Sequence, residues 1–414
     1  MKYFQTKEQA FETMNRLELR ITELAKKTTD LTILPEDKIE YNQLKELIYQ
    51  YSEGRNKVTE NALGQPCIWE VVPNDYKVSV DYLSASGANF DVDSPKRYEI
   101  HPAMIVSGKP VKALLRAKYV AGYWNGNRAV SLPGLDPSHD ISYDSSLSLC
   151  KAANGGKNNI GMLTAAMLGL EGLQQLCDGF FPRGNDNYGK SYKKSSERGE
   201  PSYTYTESNG LYRIGRCKTG SGPLSWRIGG SPFGAEVRPG VSVWAGGFRT
   251  MGGELNFIPN NNALLYSSDH SASSADWKSL LPDGTFADVG ADGSYKYDYT
   301  KTPSGGATDG MQIVTAFVNR QTEGNSYMQS SFSSIGFGEG VAENMYLKML
   351  LKAKLKKSVP GFCWSRNQEG MERFPFCRGN WYVSSDAGPA FADGLWFGRS
   401  VSSWVIGFAL GSYE

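Results

Sequence analysis

Long apolar runs are missing from this chain. Nowhere in its 414 residues does a stretch approach the roughly 18 apolar residues that a membrane helix needs. The start, Met1-Lys2-Tyr3-Phe4-Gln5, lacks an apolar signal core, so the chain is expected to stay on the cytoplasmic side unless it leaves by lysis. Net charge is also missing. The 44 Lys and Arg balance 43 Asp and Glu, which leaves no global field to draw in nucleic acid or an anionic membrane. Cysteine is sparse: Cys67, Cys150, Cys177, Cys217, Cys363 and Cys377 form neither a CxxC pair nor a zinc-ribbon spacing. Only Cys363 and Cys377 lie near enough in sequence to meet across a turn, and cytoplasmic synthesis disfavours a bridge between them. The three histidines, His101, His139 and His270, are scattered, and a lone His is more often structural than a metal ligand. There is no Ser/His/Asp order, HExxH, Walker loop or Rossmann fingerprint. The expectation is a protein without catalytic residues, metal or cofactor.

What is present is glycine and aromatic surface. The chain holds 46 Gly, 23 Tyr and 9 Trp with 21% charged residues, the composition of a loop-rich, β-containing fold rather than a helical bundle. Its length allows two or three domains. The aromatics concentrate near the end. Trp381, Tyr382, Phe391, Trp396, Phe397 and Trp404 fall within 24 residues, among Ser, Gly, Asp and Ala. Rigid aromatics give contact area at low entropic cost while small polar residues adapt their hydrogen bonds, as in antibody-like paratopes. A twisted β core is the competing reading. Asp386, Asp393 and Ser403 argue against it, because an unpaired buried carboxylate is costly.

At the other end, Thr6-Lys7-Glu8-Gln9 has the form of a capping box, followed by Ala10, Met14, Leu17, Ile21, Leu24 and Leu31 at spacings of three and four that slip at Thr28. A second helix is predicted from Pro35, through Ile39, Leu44, Leu47, Ile48 and Tyr51, to Gly54. Two such helices cannot bury both stripes alone and need each other, a partner chain or the rest of the protein; of these, oligomerisation or attachment through residues 1–60 is the first expectation. Residues 61–99, with β-like runs at 67–72 and 77–82, read as a short β connector.

From His101 the pattern is α+β. Asn125-Gly126 signals a hairpin between runs at 114–124 and 127–132. Helices are predicted over 143–152, capped by Asp140, Ser142 or Asp144, and over 164–177. Residues 180–310, rich in Gly, Pro, Ser and Asn, read as long insertions over a compact sheet. Residues 343–357 read as a basic amphipathic helix with solvated lysines.

Beyond these patterns, a succession of short motifs carries a resemblance. It begins with Ile100-His101-Pro102-Ala103-Met104-Ile105, Ser131-Leu132-Pro133-Gly134, Met162-Leu163-Thr164 and Phe181-Pro182-Arg183-Gly184-Asn185-Asp186-Asn187-Tyr188-Gly189. It continues through Thr219-Gly220-Ser221-Gly222-Pro223, Val243-Trp244-Ala245-Gly246-Gly247-Phe248-Arg249, Gly253-Glu254-Leu255 and Ile258-Pro259-Asn260-Asn261. Glu372-Arg373-Phe374-Pro375, Arg378-Gly379-Asn380-Trp381 and Ile406-Gly407-Phe408 close it. In this order, over residues 100–414, the motifs resemble the variable proteins of diversity-generating retroelements. The chain departs from that pattern in having no Trp in the 164–177 helix, Ala245 after Trp244, and Ala409 after Gly-Phe.

The resemblance implies a C-type-lectin-like domain over 100–414, of the branch shared with formylglycine-generating enzymes, carrying a hypervariable face at about 380–405. In that family an error-prone reverse transcriptase alters adenines in Asn codons. Positions that look like substituted asparagines are Tyr382, Val383, Asp386, Asp393, Leu395, Phe397, Val401 and Ser403. An AAC or AAT codon changed only at its adenines keeps a third-position pyrimidine and cannot encode Trp. Trp381 and Trp404 therefore read as scaffold, and Trp396 is left open as a contact. The implied partner is a host cell-surface protein or glycan, met at a phage tail-fibre tip by a homo-oligomer, with a trimer as first guess and other tail proteins as neighbours. A bacterial cell-associated ligand-binding protein and a formylglycine-type oxidase are the alternatives. The Glu-Pro-Asn or Gln-Pro-Asp triplet of a calcium-dependent sugar lectin does not occur.

Overall fold

The computed structural model describes residues 2–85, 90, 99–124, 128–237, 239–301, 310–320, 328–359, 361–377 and 393–414. The fold is mixed α+β with an N-terminal helical segment. Helix α1 spans Lys7–Thr29, with the Thr6 hydroxyl accepting from the Gln9 amide. Helix α2 spans Pro35–Tyr51. Its proline sits where a missing N–H costs nothing, and Asp37 accepts from the Leu34 amide at 2.9 Å.

The α1 stripe does not wait for a second chain. Ala10, Met14, Ile21 and Leu24 pack with Leu44 and Ile48 of α2 onto Val58, Ile68, Tyr119, Val130, Leu132 and Phe233 of the body. Each fully buried Leu or Ile is worth about 1.5–3 kcal/mol, so this contact alone holds the helices in place. Below the stripe, Glu18 is fully buried and paired with Lys118 at 2.6 Å, and it accepts from the Tyr119 hydroxyl. Lys118 also donates to Asn56 Oδ1 at 2.7 Å and to the Pro232 carbonyl at 3.1 Å. The seam expected for oligomerisation is thus covered by the protein's own body. Past the slip in the pattern, Leu31 stands 91% exposed.

One antiparallel sheet runs Asn56–Glu60, Pro66–Pro73, Ala113–Ala117, Leu410–Tyr413, Gly161–Met162. Its pairing crosses both sequence boundaries, at residue 60 and at residue 100, and draws the supposed connector and the C-terminal strand into one layer. The run at 77–82 is not extended but forms helical turns at Tyr76–Val78 and Val80–Leu83, capped by Asp75 and Ser79. Helix Ala165–Asp178, capped by Thr164, is buried along nearly its whole length. Arg116 ties that helix to the sheet, pairing with Glu70 at 2.9 Å and Glu171 at 3.3 Å. Helix Tyr143–Asn154 starts at Ser142, one of the three caps anticipated. The Asn125-Gly126 turn lies outside the described residues.

A second assembly joins twelve strands among the described residues. Many come from Ser242–Tyr299, where the sequence suggested only insertions. Strands of three or four residues are too short to show a period. Many motif residues turn out to be buried hydrogen-bond nodes. Asn261 donates to the Ala103 carbonyl (2.8 Å) and accepts from Thr164 (2.6 Å), Asn185 accepts from the Gly189 amide (2.7 Å), and Thr219 donates to the Leu132 carbonyl (2.7 Å). The Gly of Ile406-Gly407-Phe408 is dictated by packing, since a Cβ there would lie 2.0 Å from the Ser138 carbonyl oxygen.

The long basic helix is not formed. Helix Met345–Met349 is only five residues, and the chain leaves it through Leu350 and Leu351, the latter in the left-handed region at φ 56°. Lys348 and Lys352 are buried rather than solvated, because each has a carboxylate partner, Glu343 and Asp393 respectively.

Candidate ligand-binding face

The expected contact segment enters the described structure at strand Asp393–Phe397, which lies between Phe362–Ser365, to which it is parallel, and Glu372–Cys377, to which it is antiparallel. Pro375 interrupts the last of these at a register shift between Phe374 and Phe376, the place in a sheet where a residue without an N–H is tolerated. Gly394 is required by the same neighbour, as a Cβ there would sit 2.2 Å from the Phe376 ring.

The nine candidate contacts fall into three groups. Tyr382, Val383 and Asp386 lie outside the described residues, as does Trp381. Asp393 and Leu395 point into the core, 8% and 0% exposed. Trp396, Phe397, Val401 and Ser403 are part-exposed. The expectation that all nine share one surface therefore fails for Asp393 and Leu395. The Asp393 carboxylate is buried because it is paired: Lys352 reaches Asp393 Oδ2, and Cys377 Sγ donates to Oδ1 at 2.7 Å. Burial opposes the Lys352 charge, but the Asp393 charge more than offsets it and its pKa is raised. The Lys352 ammonium also lies 4.9 Å from the Phe248 ring centroid.

Cys363 and Cys377 both register against Asp393, on opposite sides of its strand, and both are free. A strand between them keeps them from bridging. Burial first, then the Asp393 charge, push both thiols well above their ordinary range. Thiols held protonated in this way are poor nucleophiles.

Beyond the strand, Arg399 fixes the turn. It grips Glu372 through Nε and Nη2 (2.8 and 2.9 Å), reaches Asp144 at 2.9 Å and the His270 carbonyl at 3.0 Å, and lies over the Phe374 ring. Hydrogen bonding to Glu372 raises its pKa, so the clamp stays charged. The Ser403 carbonyl is held by the Asp140 and Ile406 amides (3.0 and 2.8 Å). Val401 and Ser403 are thus displayed from a pinned loop.

The aromatics continue across the sheet. Trp396 meets Trp364 and Phe376 edge to face at 5.7 and 4.9 Å, and Phe397 stacks on Phe376 at 5.2 Å. Trp404 packs on Tyr203 and Tyr205, 5.9 and 5.8 Å between ring centroids. These tyrosines belong to the hairpin Pro201–Thr206 and Tyr212–Cys217. Arg216 stacks on Tyr203, pairs with Asp136 at 2.9 Å and donates to the Trp404 carbonyl at 3.1 Å. Sequence reasoning missed Lys352, Arg399, Tyr203 and Tyr205. Only the alternation in Ser202-Tyr203-Thr204-Tyr205 was available as a signal.

The histidines are engaged in hydrogen bonds. His101 accepts from the Ala103 amide and faces the Met349 carbonyl, while His270 accepts from Tyr143 and faces the Ala263 carbonyl. Burial lowers the pKa of both to about 4. Among the described residues no group of three or more His, Cys, Asp or Glu is arranged to hold a metal ion. The face offers stacking surface, hydrogen bonds and a pinned loop. No protein-family model matches the chain, and no curated protein matches it.

Proposed function

We propose that the protein is a hypervariable receptor-binding protein diversified by a retroelement, built on a C-type-lectin-like domain and carried at the tip of a phage tail fibre to attach it to a host-surface protein or glycan. The observation that carries this reading is the division of the C-terminal segment. Asp393, Leu395 and Arg399 are committed to the scaffold, while Phe397, Val401 and Ser403 stand part-exposed on it. A display site that must tolerate random replacement needs that separation, because a substitution at an exposed position leaves the core intact. The motif residues support the same reading, since Asn185, Asn261, Thr219 and Gly407 have packing or hydrogen-bonding roles that do not depend on the ligand. The ligand meets Trp396, Phe397, Val401 and Ser403, joined by Tyr382, Val383 and Asp386. Trimeric display would multiply weak contacts by avidity.

Adsorption of particles carrying a Trp396→Ala, Phe397→Ala, Val401→Ala triple variant tests the proposal. Lost adsorption by a variant that still folds, with a melting temperature lowered by the packing lost on Phe376, is expected. Full adsorption by the folded variant refutes it.

A further inference from the structure

A second site lies on other elements. Between the end of α1, the α2 face and the turn joining strands Asn56–Glu60 and Pro66–Pro73 opens a cleft of about 490 Å³, within the range of small-ligand sites. Tyr41 and Trp124 give it aromatic wall, Asn42 and Gln65 supply amides, and Lys38 and Arg128 supply cations. The Tyr41 hydroxyl is buried beside the Glu60 carboxylate. Desolvation, with the Glu60 carboxylate nearby, pushes its ionisation well up, so it remains a neutral donor.

The charges are unequal. Glu60, the acid in the lining, is paired with Lys45 at 3.4 Å, and Lys45 lies over the Tyr41 ring. Lys38 and Arg128 have no ion-pair partner among the described residues. Arg128 is oriented by its own Nε–H, which donates to the Trp124 carbonyl at 2.8 Å and leaves its terminal nitrogens for an anion. The volume far exceeds that of a simple inorganic anion. Aromatic faces attract the C–H face of a pyranose ring, amides match its hydroxyls, and two cations match a carboxylate.

We infer that this cleft binds a carboxylated sugar of one or two rings, stacked on Trp124 and Tyr41 with its carboxylate held by Lys38 and Arg128. The site does not depend on the C-terminal face, so its variants leave attachment through that face unchanged.

Titration of the full chain with glucuronic acid, glucose and inorganic phosphate, followed by saturation-transfer NMR and calorimetry, tests it. Saturable glucuronic acid binding is expected, with glucose at least tenfold weaker and phosphate failing to displace the sugar. Lys38→Gln changes an exposed helix position and keeps the wild-type melting temperature. It brings glucuronic acid down to the affinity of glucose, and Trp124→Ala abolishes binding of both. If Trp124→Ala does not fold, Lys38→Gln decides. Glucose binding as tightly as glucuronic acid, full displacement by phosphate, unchanged affinity in Lys38→Gln, or no saturable sugar binding overturns the inference.

Discussion

Replacing Asp393 by Ala should damage folding far more than binding. The change leaves the Lys352 ammonium with its side chain 4% exposed and its Asp393 partner gone. Removing one partner of a buried ion pair costs about 3–5 kcal/mol, because the remaining charge has neither water nor counter-charge. Against a typical total stability of about 5–15 kcal/mol, that is a large fraction. The nine tryptophans make urea unfolding followed by fluorescence a direct assay. We expect a lower midpoint at unchanged slope. Asp393→Asn keeps an acceptor for the ammonium and should lose less. Lys352→Met with Asp393→Leu removes both charges and should recover most of the loss, since an apolar pair of similar volume is often neutral. The cycle also separates scaffold from contact. If Asp393→Ala stays within about 1 kcal/mol of wild type yet loses ligand attachment, Asp393 is a contact and the division of the segment is wrong.

Other expected outcomes follow from the same contacts. Arg399→Ala removes hydrogen bonds to two carboxylates and a carbonyl; because the side chain is part-exposed, water replaces much of what is lost, so the 398–403 turn should become protease-sensitive while the Trp fluorescence midpoint falls only modestly. Glu18→Gln weakens the partner of fully buried Lys118 and should loosen α1 by several kcal/mol, read as faster hydrogen exchange over residues 7–29. His101 and His270 have folded pKa values near 4 against an ordinary 6.5, so the unfolded chain takes up their protons first. Their contribution is complete above pH 6.5 and is lost as pH falls towards 4, on the order of 3 kcal/mol for each. A His270→Gln variant should show a shallower slope in that window.

Local signals were legible where a few adjacent residues decide the outcome. Thr6 and Ser142 cap helices because their hydroxyls reach an amide three residues on, and Pro35 opens α2 because it needs no donor there. The partner of the α1 stripe was not legible. An apolar face shows that something covers it, and only the packing onto Ile68, Tyr119 and Phe233 shows what. The basic run at 343–357 misled for a related reason. Lysine usually reads as solvated, and nothing near Lys352 in sequence announces a carboxylate 41 residues away. The aromatic stretch was recognised as distinctive, but composition does not say which side of a strand faces out. Leu395 and Asp393 alternate with Gly394 on a strand covered by neighbours on both edges, so period-two reasoning had no polar face to mark.

Deep sequencing of the gene's 3′ end and its flanking DNA, across a population of the source, tests the central claim most directly. The account predicts substitutions at positions such as Tyr382, Val383, Phe397, Val401 and Ser403, each opposite an adenine in a nearby imperfect repeat, with Asp393, Leu395 and Arg399 constant. An invariant end with no repeat and no neighbouring reverse transcriptase, or replacement at Asp393 as frequent as at Phe397, would contradict it.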